Sequence, residues 1–153
     1  MIVVSDTSPL TALLTVGAAD LLPQLFGEVL IPPAVRVELL RSHAALPDWL
    51  RVEAVKNSAE ATRLAQSVDA GEAEAIELAK ELQADRLLMD ERKGRRLAAQ
   101  EGVPVIGLLG VVLLARRNQL IPSARALLQR LDQEAGVYLT DSLREQALKA
   151  VGE

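Results

Sequence analysis

The chain has no cysteine, one histidine and three aromatic residues among its 153 positions. Without cysteine it can form no disulfide framework, no thiol nucleophile and no thiolate metal site, and the absence fits a reducing compartment. His43 alone cannot build the multi-histidine sites of zinc enzymes. Phe26, Trp49 and Tyr138 are too few for the platform of several stacked rings that holds single-stranded nucleic acid. Excess positive charge is missing too: 17 basic against 21 acidic residues leave −4, which argues against binding nucleic acid by bulk charge but leaves local patches open. Long apolar runs are also lacking. The start, MIVVSDTSPL, has no basic region of a secretory signal, and the longest later run, Val103 to Ala115, is broken by Gly107 and Gly110. It falls short of the ~20 residues of a membrane span. A soluble, cytoplasmic protein with no membrane segment is expected.

Half of the residues are apolar, nearly all of them Ala, Leu, Val and Ile. A chain this size should fold to roughly 7,500 Å² of accessible surface and bury a real core. No repeat, low-complexity tract or linker interrupts it, so a single domain over 1–153 is expected, with C-terminal helices from about 108 packed on it or extending it. Ile2 to Ser5 reads as a buried strand, and Ser8 with Pro9 as the N-cap and first residue of a helix to Val16. Asp20 opens a short helix ending near Pro23. Val29 to Ile31 is a second strand, followed by a helix from Pro32-Pro33 to about Arg41 with Val35, Leu39 and Leu40 inward. Val52 to Val55 is at best an edge strand, and Ala59 to Ser67 a helix. Asp69 and Glu72 have capping-box spacing ahead of a helix to Gln83. Arg86 to Met89 and Val103 to Ile106 are further strands; helices follow over about Arg92 to Gln100 and Leu108 to Asn118. Ser123 to about Ala135 and Thr140 to about Val151 complete the chain, with Val137 to Leu139 a short extended piece between them. Strands that are apolar runs alternating with helices predict an α/β fold whose mainly parallel sheet, of about four to five strands, is covered on both faces.

What remains for chemistry is carboxylate. In open α/β sheets ligands collect beyond the carboxyl ends of the strands. Asp6 directly follows the first strand and Asp90 the Arg86–Met89 strand, while Glu38, Glu72 and Glu74 lie on helices that such a fold brings near. Clustered carboxylates repel one another, and their natural partner is a hard divalent cation, Mg²⁺ or Mn²⁺. Phosphodiester hydrolysis is the chemistry such a site serves best, because the cation orients water, lowers its pKa and neutralises charge on the phosphate.

Four segments in order, IVVSDTSPL, IPPAVRVELL, DAGEAEAIELA and LLMDERKGRR, resemble the PIN-domain ribonucleases. They are similar in particular to the VapC-like toxins of toxin–antitoxin systems, in the branch whose third motif reads Gly-Glu-x-Glu-Ala. The resemblance implies a three-layer α/β/α fold, Mg²⁺ or Mn²⁺ held by a quartet of acids, endoribonuclease activity on an RNA substrate, and restraint by a small antitoxin protein; a homodimer is expected. Carried over, the first acid is Asp6, with the Ser8 hydroxyl as support, the second Glu38 and the fourth Asp90, with Glu91 as an extra. For the third, the aspartate usual in the family gives way to Glu72 or Glu74. These lie ~200° apart around a helix and cannot both face one pocket. The basic run Arg92, Lys93, Arg95 and Arg96 supplies local positive charge for an RNA backbone, and Arg116-Arg117 extends it.

Plainer roles stand beside these. Asp6 can cap a turn, Asp69 and Glu72 can form a capping pair, and Asp90 can cap the helix near Arg92. Glu38 alone reads as a solvated helix residue, Glu74 as one of several exposed acids with Glu77 and Glu81, and the basic run as a solvated face. An aspartyl-phosphate phosphatase would need a second Asp two positions after Asp6, where Ser8 stands. A PIN-like module that binds a partner or nucleic acid without cutting is the remaining alternative.

Overall fold

The computed structural model describes all 153 residues. Fourteen elements follow one another: β1 (Ile2–Ser5), α1 (Thr7–Thr15), α2 (Leu21–Phe26), β2 (Glu28–Ile31), α3 (Pro33–Ser42), β3 (Leu50–Val52), α4 (Ser58–Leu64), α5 (Ala70–Leu82), β4 (Arg86–Leu88), α6 (Arg92–Gln100), β5 (Val105–Ile106), α7 (Leu108–Arg117), α8 (Ala124–Ala135) and α9 (Asp141–Ala150). The strands form one five-stranded sheet in the order β3-β2-β1-β4-β5, every pair parallel. The pleat explains the apolar runs. In β1, Val3 packs into one core and Val4 into the other; in β4, Leu88 and Leu87 divide the same way. The first core is completed by side chains of α1, α2, α3, α7, α8 and α9, the second by those of α4, α5 and α6. The result is the expected three-layer α/β/α fold, with 7879 Å² of accessible surface. No helix is long and apolar enough to cross a membrane.

Several boundaries differ from the sequence reading, each for a local reason. Helix α1 starts at Thr7 with Asp6 at its N-cap, so Pro9 sits in the first turn, where its missing N–H is not needed. Pro23 is tolerated for the same reason, and α2 runs on to Phe26. The edge strand is Leu50–Val52, where Leu50 can bury against β2, and not Val52 to Val55. Helix α4 ends at Leu64 with Asn57 as its cap. Val137 to Leu139 is a connecting loop, outside the sheet. The stops at Gly102 and Gly136 fall where expected, with φ of +77° and +68° that suit glycine.

Two burial expectations fail. Leu40 was expected inward but is 38% exposed, alongside Val37 on the outer face of α3. Glu77, an exposed acid by sequence pattern, is buried, because α5 is enclosed on nearly all sides and not along one stripe. Its Oε1 has no hydrogen-bond partner, and Lys80 Nζ stands 3.5 Å away.

Candidate active site

The strand order reverses direction of winding between β1 and β4, and these neighbours leave the sheet toward opposite layers: α1 packs in the first core and α6 in the second. A crevice opens there at their carboxyl ends. Asp6 continues the ladder by donating its N–H to the Leu88 carbonyl at 2.9 Å, then begins α1. Its side chain makes no cap bond, so capping does not account for the carboxylate. Only 4% of Asp6 is exposed. Burial pushes its carboxyl up to about 7; the Thr7 backbone N–H pulls the other way, and the charges of Asp69, Glu38 and Asp90 add to the rise.

Glu72 reaches the same place from the first turn of α5. Asp69 caps that helix by accepting the Glu72 N–H at 2.8 Å, but the reciprocal half of a capping box is absent: Glu72 Oε2 is buried and accepts no hydrogen bond. Burial, a proton shared with Asp69, and the charges of Asp69 and Asp6 raise the Glu72 carboxyl to about 8. Asp90 stands two residues beyond β4. Its Oδ1 accepts the Leu108 N–H at 2.7 Å, so it caps α7, while Glu91 caps α6 by accepting the Gly94 N–H at 2.8 Å. Burial raises the Asp90 carboxyl, opposed by the Leu108 N–H and Arg95.

Glu38 enters from α3, and Thr7 Oγ1 donates to its Oε2 at 2.6 Å. Two glycines make room for the glutamates. A Cβ on Gly71 would strike the Glu38 carboxylate, and one on Gly94 would come within 2.5 Å of Glu72 Oε2. Asp6, Glu38, Asp69, Glu72, Asp90 and Glu91 thus line one cavity of about 550 Å³, with Ser8 exposed on its wall. Glu74 lies elsewhere: its Oε1 accepts the Ala34 N–H at 3.2 Å and ties α5 to the start of α3. Asp69 and Thr7 were not singled out by sequence reading. The signal for Asp69 was its place at the same helix start as Glu72, where a cap and a site residue look alike.

The donors are all carboxylate oxygens, the set a hard divalent cation takes, and the orphaned Glu72 Oε2 with three upward-shifted acids marks a cavity short of positive charge. As the side chains stand, no three of them close into a ligand cage. Mg²⁺ needs none, since it commonly takes one or two carboxylates and keeps several waters. Arg92, Lys93, Arg95 and Arg96 are all exposed in the first turns of α6, and none pairs with a carboxylate. Arg95 packs its guanidinium against Gly107 beside Asp90. Arg116 and Arg117 stand in the last turn of α7, ~12 Å along the helix from its start at the crevice, where Arg116 Nε pairs with Glu153 at 3.2 Å.

No curated protein matches the chain. A family model described as PIN domain matches residues 2–153, so the chain with this parallel sheet and acid-lined crevice belongs to the PIN-domain family.

Proposed function

We propose that this PIN-domain chain is a metal-dependent endoribonuclease, acting as the toxin of a toxin–antitoxin pair and as a homodimer. PIN domains are generally nucleases acting on nucleic acid. The observation that carries the reading for this chain is the meeting of Asp6, Glu72 and Asp90 in one cavity, with the acidity of all three weakened by burial and that of Asp6 and Glu72 also by neighbouring carboxylates. These three would hold Mg²⁺ or Mn²⁺, with Glu38 and Asp69 on the surrounding wall. When bound, the cation supplies Lewis-acid activation of water and neutralises charge on the phosphate. The chain does the rest. Thr7 fixes the Glu38 carboxylate, Gly71 and Gly94 let both glutamates approach, and Arg92 to Arg96 place the RNA backbone beside the acids. Glu74 stays outside this set.

The toxin role rests on the resemblance of the motifs, and the dimer on the exposed apolar Val37 and Leu40 of α3 and Val52 of the edge strand β3. Purified chain should cut single-stranded RNA internally with Mn²⁺ or Mg²⁺ and stop in EDTA; its expression should arrest growth unless a small protein from an adjoining reading frame is co-expressed. Cleavage that persists in EDTA would refute the metal-dependent reading. The alternative is a PIN-like module that binds a partner or nucleic acid without cutting. It predicts little stabilisation by Mn²⁺, whereas a working site gains about 2.7 kcal/mol at a hundred times its Kd.

A further inference from the structure

The acid cavity shares Asp90 and Val137 with a wider groove of about 760 Å³ that runs between α7 and the segment joining α8 to α9. Its floor is apolar, including Leu109, Leu113 and Leu131. At the end next to the acids stand Arg92 and Arg95, neither paired with a carboxylate. On its rim is Tyr138, 78% exposed between the partly buried Val137 and Leu139. An exposed ring held on a loop anchored by its neighbours has no packing role of its own.

These features match the two halves of a nucleotide. A phosphate meets the guanidinium of Arg92 and that of Arg95, whose Nη1 also donates to the Met89 carbonyl at 3.4 Å, and a flat base finds an aromatic face over an apolar floor. We propose that the groove seats the nucleotide adjoining the cut phosphate, with its base on Tyr138 and its phosphate on Arg92 and Arg95. This rests on the nuclease reading of the acid cavity. The pairing of Arg92 and Arg95 with an exposed ring selects RNA over a protein segment, which would seat apolar side chains on the same leucines and leave the guanidiniums and the Tyr138 face unused. The shortage of aromatics excludes a platform of rings, not one ring used once.

The test is binding of a fluorescein-labelled single-stranded RNA to the cleavage-silenced Asp6→Asn chain in Mn²⁺, followed by anisotropy. Adding Tyr138→Ala should weaken binding roughly 5- to 150-fold, as loss of one stacked base does, and Tyr138→Phe should restore it. An abasic site at one position beside the cut should weaken binding to the Tyr138 chain and have no further effect on the Tyr138→Ala chain. Arg95→Gln should reduce the salt slope by about one. On the active background, Tyr138→Ala should raise KM and spare kcat. Equal binding and cleavage by the Tyr138 and Tyr138→Ala chains overturn the groove assignment and leave the nuclease reading standing. So does a Tyr138→Ala chain whose only change is in sedimentation, which would make the groove a protein interface. A wild-type chain that neither binds nor cuts RNA overturns both.

Discussion

Replacing Glu72 by Gln separates the charge of this residue from its shape. In the folded chain its carboxyl is raised from 4.5 to about 8, with burial the largest cause. An acid raised on folding contributes stability that is present below its unfolded value and is lost as pH climbs through the folded one. Without a cation, the chain should therefore weaken between about pH 4.5 and 8. At about 1.4 kcal/mol per unit, the ceiling for Glu72 is on the order of 5 kcal/mol. Sharing of the proton with Asp69 and solvent relaxation bring this to about 1–2 kcal/mol. For a domain of this size that is roughly 2–8 °C in Tm. Thermal unfolding at pH 5 and pH 8.5, in EDTA and in Mn²⁺, reads the effect. The wild-type Tm should fall toward pH 8.5 in EDTA and recover in Mn²⁺. Glu72→Gln, which mimics the protonated acid, should fall less by that amount and recover little with Mn²⁺. If its Tm drops with pH as steeply as wild type and responds equally to Mn²⁺, the placement of Glu72 in an electron-rich, cation-binding cavity is wrong.

Other substitutions probe the supporting structure. Gly71→Ala should leave Tm unchanged or slightly raised, because alanine favours helix by up to ~1 kcal/mol and only the flexible end of Glu38 must move; cleavage should nonetheless fall at least about tenfold, since that end is the site carboxylate. A crystal structure or Tm showing collapse of α5 would contradict this. Glu77→Gln should gain about 1 kcal/mol over wild type on going from pH 5 to pH 8, because burial holds the Glu77 acid at about 7 and its stabilising contribution is lost on crossing that value. An unchanged difference between the two chains would show that Lys80 already compensates the buried charge.

Much of the fold was legible because its signals are local. Apolar runs marked most of the strands, those of β2 and β5 closed by Pro32 and Gly107, and Asp6 directly after β1 with Asp90 two residues after β4 pointed to the crevice. What was not legible depends on packing between distant segments. Helical phase showed that Glu72 and Glu74 face apart, but the neighbour on each side had to be known to see that Glu74 meets Ala34 and Glu72 meets the cavity. Asp90 was read as a cap for the next helix; its partner Leu108 lies 18 residues on. The glycine of the Gly-Glu-x-Glu run acquires its reason only from the Glu38 carboxylate on another helix. Glu77 looked solvated because acidic residues usually are, and only the enclosure of α5 by other helices buries it.

The most direct test is cleavage of one defined single-stranded RNA by wild type, Asp6→Asn and Glu74→Gln, each shown folded by circular dichroism, in Mn²⁺ and in EDTA. Wild type and Glu74→Gln should cut at rates within about twofold, because Gln preserves the acceptor for Ala34; Asp6→Asn and every EDTA sample should show no cleavage above background. Retained cleavage by Asp6→Asn, or loss in Glu74→Gln equal to that in Asp6→Asn, would contradict the assignment of catalysis to the cavity between β1 and β4.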